Sequence, residues 1–294
     1  DVERSRGLGD VYKRQVMELL KNDKSALTSS TIMAPCAWAP EACRFAAENP
    51  ELAIGVHLTL TSEWSKYRWA PVNAEHTASL RDEEGYMWHE SDQVEEHVDL
   101  DEVEGEIRAQ IERCKRLGLT NPSHLDNHMG SLYGIETGRF ELLELTLSLA
   151  GEYGLPFRFP GSFTEAQFNN TMLAINIDKS MIEMVFGKVV AFAKQQGVAI
   201  PDYLMPNEWN EPQTQSYEQF REYLYDLYAS IPEGVTETYL HPAKESDDLK
   251  GTSSVWERRV WEYRVMSDPA TKQHIEAHGI KLINYRDLAA MRKA

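Results

Sequence analysis

The feature that most constrains the fold of this chain is the alternation of short apolar segments with amphipathic ones. Segments 26–34 and 52–60 are rich in strand-forming residues, and segment 40–47 between them predicts a helix that opens on a proline. A longer amphipathic helix is predicted over 101–117, followed by a strand over 123–126. Strands and helices in this order are typical of βαβ units, so we predict an α/β fold with parallel strands.

The length and composition of the chain favour a single large domain. Its 294 residues are 42% hydrophobic, which suffices for a sizeable core, and a (β/α) barrel commonly has this size. Strand-like segments recur at 154–161 and 234–241, and no internal repeat or Pro/Gly-rich linker divides the chain. The length also admits two small domains, but without such a linker we expect one large α/β domain over residues 16–294, and a barrel is one architecture of this size.

The charge and the cysteines restrict the partners and the compartment. With 47 acidic against 30 basic residues the formal charge is -17, which repels nucleic acid and anionic lipid surfaces. No apolar run approaches the ~18 residues that a membrane crossing needs. Three cysteines without close spacing indicate reduced thiols. The sequence therefore predicts a cytoplasmic protein that binds neither nucleic acid nor membranes, and it leaves the oligomeric state open, a homodimer included.

Three histidines and one carboxylate stand close to the ends of predicted strands. His57 lies near the end of segment 52–60, and His124, Asp126 and His128 alternate along the next strand and beyond it. On an extended segment such alternate residues share one face, so the three side chains can converge on one point. Imidazole and carboxylate groups hold hydrolytic divalent metals. The same pattern also suits histidines that merely satisfy backbone groups at a sheet edge.

Several segments taken together resemble the YdjC-like family of carbohydrate deacetylases. The residues concerned are 27–31, 53–61, 122–128, 239–242 and 279–288. The resemblance implies a TIM-like barrel that hydrolyses an N-acetyl group from an amino sugar or a chitin-type oligosaccharide. It also implies a divalent metal cofactor, with Zn²⁺ and Mg²⁺ the first candidates.

The resemblance implies roles for the clustered histidines. His57 and His128 would hold the metal ion through neutral imidazole nitrogens. His124 ranks below His128 as a direct ligand and is a candidate for a supporting position behind the ligands. Asp126 is expected to accept the remaining N–H of His124 or His128, which would fix the ring.

The remaining candidate residues would move a proton or contact the sugar. His241 is the candidate acid that protonates the departing amine, and Arg158 would steer a catalytic carboxylate, contact substrate or form a rim salt bridge. The long polar segment 62–100 is expected to form a wall or lid of the site, because structureless insertions of this length are uncommon. Trp64 and Trp69 within it would stack on a sugar ring or pin the segment to the body.

The beginning of the chain departs from the family pattern. The family opens with a strand followed by Asp-Asp-x-Gly, in which one Asp resembles a catalytic base and the other a metal ligand, and no such motif precedes Thr28. Residues 1–15 lack apolar periodicity and resemble a non-native or disordered leader, in which Asp10 is expected to be solvated. We therefore expect the first barrel strand to be missing or replaced and the activity of this chain to be impaired.

Two other functions agree with the sequence. In one, the protein is a non-catalytic carbohydrate-binding barrel whose histidines only tie strand ends together. In the other, it is a glycosidase that uses paired carboxylates, although the abundant acidic residues give no distinctive pair. Bound metal would favour the deacetylase, and two carboxyl groups facing each other across a sugar-sized cleft would favour the glycosidase.

Overall fold

A computed structural model describes residues 10–169 and 179–293 of the chain. Five strands are described: β1 Ser29–Ile32, β2 Ala53–Leu58, β3 Leu125–Asn127, β4 Tyr203–Leu204 and β5 Thr236–Glu237. The helices of the described residues are α1 Asp10–Lys21, α2 Ala39–Glu48, α3 Ser91–His97, α4 Leu100–Arg116, α5 Glu141–Tyr153, α6 Glu165–Phe168, α7 Lys179–Gln195, α8 Tyr217–Ala229, α9 Asp247–Thr252, α10 Trp256–Ser267, α11 Pro269–Ala277 and α12 Tyr285–Lys293. The predicted α/β class with parallel strands is confirmed.

The chain forms two compact units, whereas the sequence analysis treats residues 16–294 as one domain. The β1–β3 unit comprises Ser29–Arg158, Lys188–Ile200 and Tyr285–Ala294. The β4–β5 unit comprises the described residues of Asp1–Thr28, Phe159–Gly187 and Pro201–Asn284. Each unit has a parallel sheet of its own, with three strands in the first and two in the second.

The sheet of the β1–β3 unit has β2 at its centre, between β1 and β3. Five of the six residues of β2 are buried, as expected of a parallel strand that is covered on both faces. Helix α4 packs against β2 through Val103, Ile107 and Ile111, none of which is exposed, and this confirms the amphipathic helix predicted there. Its first turn is capped by Asp99, which accepts hydrogen bonds from the backbone N–H groups of residues 101 and 102.

The core of the β4–β5 unit lies among helices. Buried side chains from α8, α10 and α11 pack together there; they include Phe220, Leu224, Val265, Met266 and Ile275. The two strands of this unit are only two residues long. Helix packing therefore dominates the structure of this unit, and its two-stranded sheet is small.

A closed barrel is not found among residues 10–169 and 179–293, so the TIM-like closure expected from the sequence is not confirmed. Segment 154–161, expected as a strand, joins the sheet through a single bridge between Phe157 and Leu125. Pro156 and Pro160 flank that bridge, and proline has no N–H to donate to a ladder. Segment 234–241 likewise contributes only the two residues of β5.

The predicted leader, residues 1–15, does not end at a structural boundary. Helix α1 begins at Asp10 and continues to Lys21. Gln15 is buried, and its side-chain oxygen accepts a hydrogen bond from the backbone N–H of Lys244. Residues 1–9 and the side chain of Asp10 lie outside what the structure describes.

Two further expectations concern the cysteines and the membrane. All three cysteines are free and buried. Among the helices that the structure describes, none is both long and apolar enough to cross a bilayer.

Candidate active site

The β2–β3 pair brings His57 and Asp126 side by side. The two residues are direct partners in the parallel register, and Oδ1 of Asp126 lies 2.7 Å from Nδ1 of His57. The expectation that Asp126 would accept from His124 or His128 is therefore wrong. The register decides the partner, because a strand residue lies beside its neighbour on the next strand and not beside residues two positions along its own chain.

Asp126 is enclosed by further donors. Its Oδ2 lies 2.6 Å from Nη1 of Arg158 and accepts a hydrogen bond of 3.1 Å from the hydroxyl of Thr31. Burial alone would raise the pKa of Asp126, but the Arg158 guanidinium and His57 outweigh it and hold the pKa well below its usual range. Of the roles open to Arg158, the structure shows a salt bridge to Asp126. Thr31 thus belongs to this network, a place that its position in the sequence does not indicate.

His57 and His128 lie together, as the sequence analysis expects of the two metal ligands. Nε2 of His57 is 3.3 Å from Nδ1 of His128, and the ring planes are inclined at 69°. His128 opens a 3₁₀ turn directly after β3, and Met129 in that turn has a left-handed backbone with φ of 55°. The main-chain oxygen of Met129 accepts a hydrogen bond of 2.8 Å from Ser91, which holds the turn in place.

A carboxylate that the sequence analysis missed lies on the far side of His128. Oε2 of Glu63 is 2.9 Å from Nε2 of His128. Glu63 follows β2 at the start of the long insertion, 65 positions before its partner. The one signal in the sequence is its place just beyond a strand end, because the carboxyl ends of parallel strands meet at one edge of a sheet.

The two carboxylates fix which ring nitrogen carries the proton in each histidine. An ionised carboxylate only accepts hydrogen bonds, so with both carboxylates ionised Nδ1 of His57 and Nε2 of His128 carry the protons. The facing nitrogens are then both lone pairs. Burial lowers the pKa of His57 against the opposing effect of Asp126, which favours the neutral imidazole that binds metals.

The donor set suits a divalent transition ion. Two nitrogens that each lie about 2.0–2.1 Å from a tetrahedral ion are roughly 3.3 Å apart, and the facing nitrogens have this separation. Each ring also donates its other N–H to a carboxylate, which is the usual outer environment of a metal-bound histidine. Within the part of the chain that the structure describes, no group of three His, Cys, Asp or Glu side chains forms a complete metal site.

His124 does not join the other two histidines. Its ring is fully buried and stacks on Tyr285, with centroids 3.6 Å apart and planes inclined by 2°. The alternation rule fails here because β3 is limited to Leu125–Asn127, so that residues 124 and 128 both lie outside the extended segment. Burial lowers the pKa of His124 to about 3, and the ring is neutral at physiological pH.

The insertion after β2 is folded, and its aromatic residues cluster beside His128. The rings of Trp64, Tyr67 and Trp69 lie 5.9–6.2 Å from one another. Trp69 is 6% exposed, donates its indole N–H to the backbone oxygen of Thr61 and packs edge-on against His128. Trp69 therefore pins the insertion to the body, and the partly exposed Trp64 and Tyr67 are the better candidates for sugar contacts.

His241 lies in the β4–β5 unit. It is exposed, and its backbone N–H donates a hydrogen bond of 2.7 Å to Oε2 of the buried Glu262. Arg258 binds the other oxygen of Glu262 at 3.0 Å. The main chain at His241 is thus held in place, while the role of its side chain as an acid stays a prediction.

Comparison with known proteins gives the family. The sequence profile of the family described as YdjC-like protein matches residues 14–277. This chain belongs to the YdjC-like family. The family assignment made from the sequence is thereby confirmed, over almost the whole of the described chain.

Relatives of this YdjC-like protein have informative names. A protein of Enterococcus faecalis named carbohydrate deacetylase is 31% identical over 287 residues, covering 97% of this chain and 92% of the relative. A carbohydrate deacetylase of Thermoanaerobacter pseudethanolicus is 26% identical over 280 residues, covering 95% and 94%. A crystal structure from Enterococcus faecalis, described as a putative cellobiose-phosphate cleavage protein, aligns with a TM-score of 0.70 at 30% identity. It covers 95% of this chain and 93% of its own.

Proposed function

We propose that this protein is a metal-dependent carbohydrate deacetylase that hydrolyses the N-acetyl group of an amino sugar or a chitin-type oligosaccharide. Membership of the YdjC-like family and the names of its relatives support a hydrolase that acts on a carbohydrate amide bond. The N-acetyl substrate is what the resemblance to the family implies, and the metal is argued from the site. The observation that carries the metal is the pair of facing imidazole nitrogens, 3.3 Å apart, each ring backed by a carboxylate.

A cation explains why the two nitrogens face each other. Two lone pairs at this distance repel unless a positive charge lies between them, and a proton or a metal ion would serve. The largely enclosed position of His57 works against protonation, because desolvation lowers the pKa of its ring. A metal ion bound by His57 and His128 is therefore the simpler explanation, with Zn²⁺ ahead of Mg²⁺ because imidazole suits softer ions.

Each residue of the site has a part in this scheme. When bound, the ion supplies Lewis-acid polarisation of the acetamide carbonyl and an activated water. His57 and His128 would hold it, and Asp126 and Glu63 would accept the other N–H of each ring and so orient the lone pairs. Arg158 keeps Asp126 ionised, which preserves the acceptor that His57 needs.

The proton transfers need groups beyond this cluster. Asp126 is ionised and only 1% of its side chain is exposed, so it supports the ligand and does not suit proton exchange with substrate. His241 remains the proposed acid for the departing amine. In the family pattern, one Asp of an Asp-Asp-x-Gly segment resembles the catalytic base. Closure of the barrel and a cytoplasmic location stay predictions.

The substrate is assigned to the aromatic side of the site. The C–H faces of a sugar ring pack well on aromatic rings, and Trp64 and Tyr67 offer partly exposed rings close to His128 through Trp69. The carbohydrate-binding alternative uses the same surface. It differs from the deacetylase in needing no metal.

The glycosidase alternative finds little support at this site. A glycosidase needs one carboxyl group that donates a proton, with a raised pKa. The pKa of Asp126 moves the opposite way, and its oxygens are taken by Arg158, Thr31 and His57.

The proposal is tested by metal content, metal binding and acetate release. Chelator-treated protein is titrated with Zn²⁺ by calorimetry, alone and as His57→Ala and His128→Ala, with the exposed His278→Ala as the control. We expect one Zn²⁺ per chain in the wild type and the control, and none in the two site variants. The Zn²⁺-loaded chain is then assayed on N-acetylated chitin oligosaccharides and on an O-acetylated sugar. Equal Zn²⁺ binding by all four proteins, or release of acetate from the ester alone, would overturn the proposal.

A further inference from the structure

The contact between Glu63 and His128 has a use beyond packing. We infer that Glu63 is a positioning residue, whose carboxylate selects the ring orientation and the tautomer in which Nδ1 of His128 faces His57. This inference rests on the proposed function in one respect, because the orientation matters for a metal held between the two histidines. The contact itself and the tautomer are properties of the metal-free chain.

The main chain at His128 is fixed, but the main chain alone does not orient the ring. Its carbonyl oxygen accepts from the N–H and the hydroxyl of Ser131, at 3.2 and 2.9 Å. Rotation by 180° about the bond that joins the ring to its Cβ would exchange Nδ1 with a ring carbon. A carbon would then face Nε2 of His57. The flip would also break the hydrogen bond of 2.9 Å between Nε2 and Glu63, so the carboxylate favours the orientation in which Nδ1 lies 3.3 Å from His57.

The loop around Glu63 is built to hold its carboxylate in place. The preceding residue, Ser62, donates its backbone N–H to the oxygen of Trp88 at 2.7 Å. The hydroxyl of Ser62 accepts from the backbone N–H of Trp69 and from Nε of Arg68, at 3.1 and 3.3 Å. The following residue, Trp64, packs into the aromatic cluster. The residues on both sides of Glu63 are therefore fixed, which reduces the entropy lost when its side chain is ordered against the ring of His128.

The two histidines differ in the kind of carboxylate behind them. Asp126 is buried on a strand, with Arg158 and Thr31 as further partners. Glu63 lies on a loop, and its side chain is 22% exposed. Removal of Glu63 should therefore leave the fold intact while it frees the ring of His128, whereas removal of Asp126 disturbs the core. This difference makes Glu63 the position at which ring orientation can be tested by itself.

The size of the effect follows from other metal sites. Loss of an outer carboxylate that orients a histidine ligand typically weakens metal binding or activity 10–100-fold. We expect about this loss of Zn²⁺ affinity for Glu63→Ala. Glu63→Gln keeps an acceptor oxygen of the same reach and should recover part of it.

The test reads the tautomer first, without metal. Long-range ¹H–¹⁵N spectra of chelator-treated protein give the protonated nitrogen of each ring, and the His128 signals are assigned by their absence in His128→Asn. We expect the wild type to carry the proton on Nε2, Glu63→Gln to do so in part, and Glu63→Ala to lose this preference. Glu75→Ala, an exposed carboxylate in the same insertion, is the control and should match the wild type.

Calorimetric Zn²⁺ titration of the same four proteins completes the test. A proton on Nδ1 of His128 in the wild type, or an unchanged Nε2 preference in Glu63→Ala, would overturn the inference. An unchanged Zn²⁺ affinity in a Glu63→Ala protein that has lost the preference would overturn its metal part. Failure of the wild type to bind Zn²⁺ would instead overturn the proposed function and leave the tautomer result standing. Circular dichroism checks that each variant folds. If Glu63→Ala does not fold, the tautomer and the Zn²⁺ affinity of Glu63→Gln decide the test.

Discussion

Asp126 lies level with His57 across two parallel strands, and its carboxylate joins the ring of that histidine to the guanidinium of Arg158. The two residues are 69 positions apart in sequence, and the strand register reduces that separation to one hydrogen bond of 2.7 Å. Asp126 therefore orients His57, a proposed metal ligand, and also pairs with the largely buried guanidinium of Arg158. The consequences of its removal should therefore appear in stability as well as in chemistry.

We predict that Asp126→Asn lowers the free energy of unfolding by about 3–5 kcal/mol. The variant leaves Arg158 without its ionised partner, and breaking a buried pair on one side has a cost of this order. Urea denaturation at neutral pH measures it. The exposed ion pair of Glu41 with Arg44 gives the control, Glu41→Gln, which should change stability by less than about 1 kcal/mol. Equal effects of the two variants would show that the Asp126 pair is not buried in solution.

We predict that Zn²⁺ stabilises the protein through His57 and His128. A ligand that binds only the native state adds about 2.7 kcal/mol at a concentration of 100 Kd. Thermal or urea unfolding with and without Zn²⁺ should show this gain in the wild type, and a chelator should reverse it. His57→Ala and His128→Ala should lose the gain. His241→Ala, in the other unit, should keep it, and a gain that survives in either ligand variant would place the ion elsewhere.

We predict that Gly55→Ala disturbs the sheet at the centre of the site. A Cβ at this position would lie 2.3 Å from the backbone oxygen of His124 and 2.7 Å from its Nδ1, so β2 and the segment before β3 must separate. Overpacking of this kind typically costs about 1–3 kcal/mol, and loss of ring geometry at His57 should also lower Zn²⁺ affinity. Gly251→Ala in helix α9 meets no atom within 4 Å and should be neutral or slightly stabilising. Urea denaturation of both variants compares them, and equal stability would contradict the close approach.

Much of the β1–β3 unit could be predicted from the sequence, because its elements follow local rules. Helix α4 has apolar residues at helical spacing, and β2 has a continuous apolar run that suits a covered parallel strand. Barrel closure did not follow from these rules. Strand-like composition at 154–161 competes with two prolines that remove ladder donors, and only one bridge forms.

The site shows a similar division between what spacing predicts and what register decides. The pairing of His57 with His128 was predicted from the resemblance, and the rings do meet. The partner of Asp126 depends on strand register, and the partner of His128 depends on the path of a loop 65 residues away. A single sequence contains no periodic signal for either, so Glu63 and Thr31 were not found.

We predict that His124 makes stability depend on pH in the acid range. The ring has a pKa of about 3 in the folded protein, because it is fully buried, against about 6.5 in the unfolded chain. Above pH 6.5 neither state binds the proton, and this residue adds no pH dependence. Between pH 6.5 and about 3 the unfolded chain binds a proton that the native ring does not, so acidification costs about 1.4 kcal/mol per pH unit through this residue.

The variant His124→Phe isolates this contribution, because it keeps a ring to stack on Tyr285 and removes the titrating group. The difference in unfolding free energy between wild type and variant should shift in favour of the variant as the pH falls from 6 to 4. Urea denaturation at several pH values measures it, and subtraction removes the effect of the other titrating groups. His278→Phe, at an exposed histidine, should follow the wild type. A difference between wild type and His124→Phe that is constant over this range would mean that the ring accepts a proton while folded, and water would then have access to the stack with Tyr285.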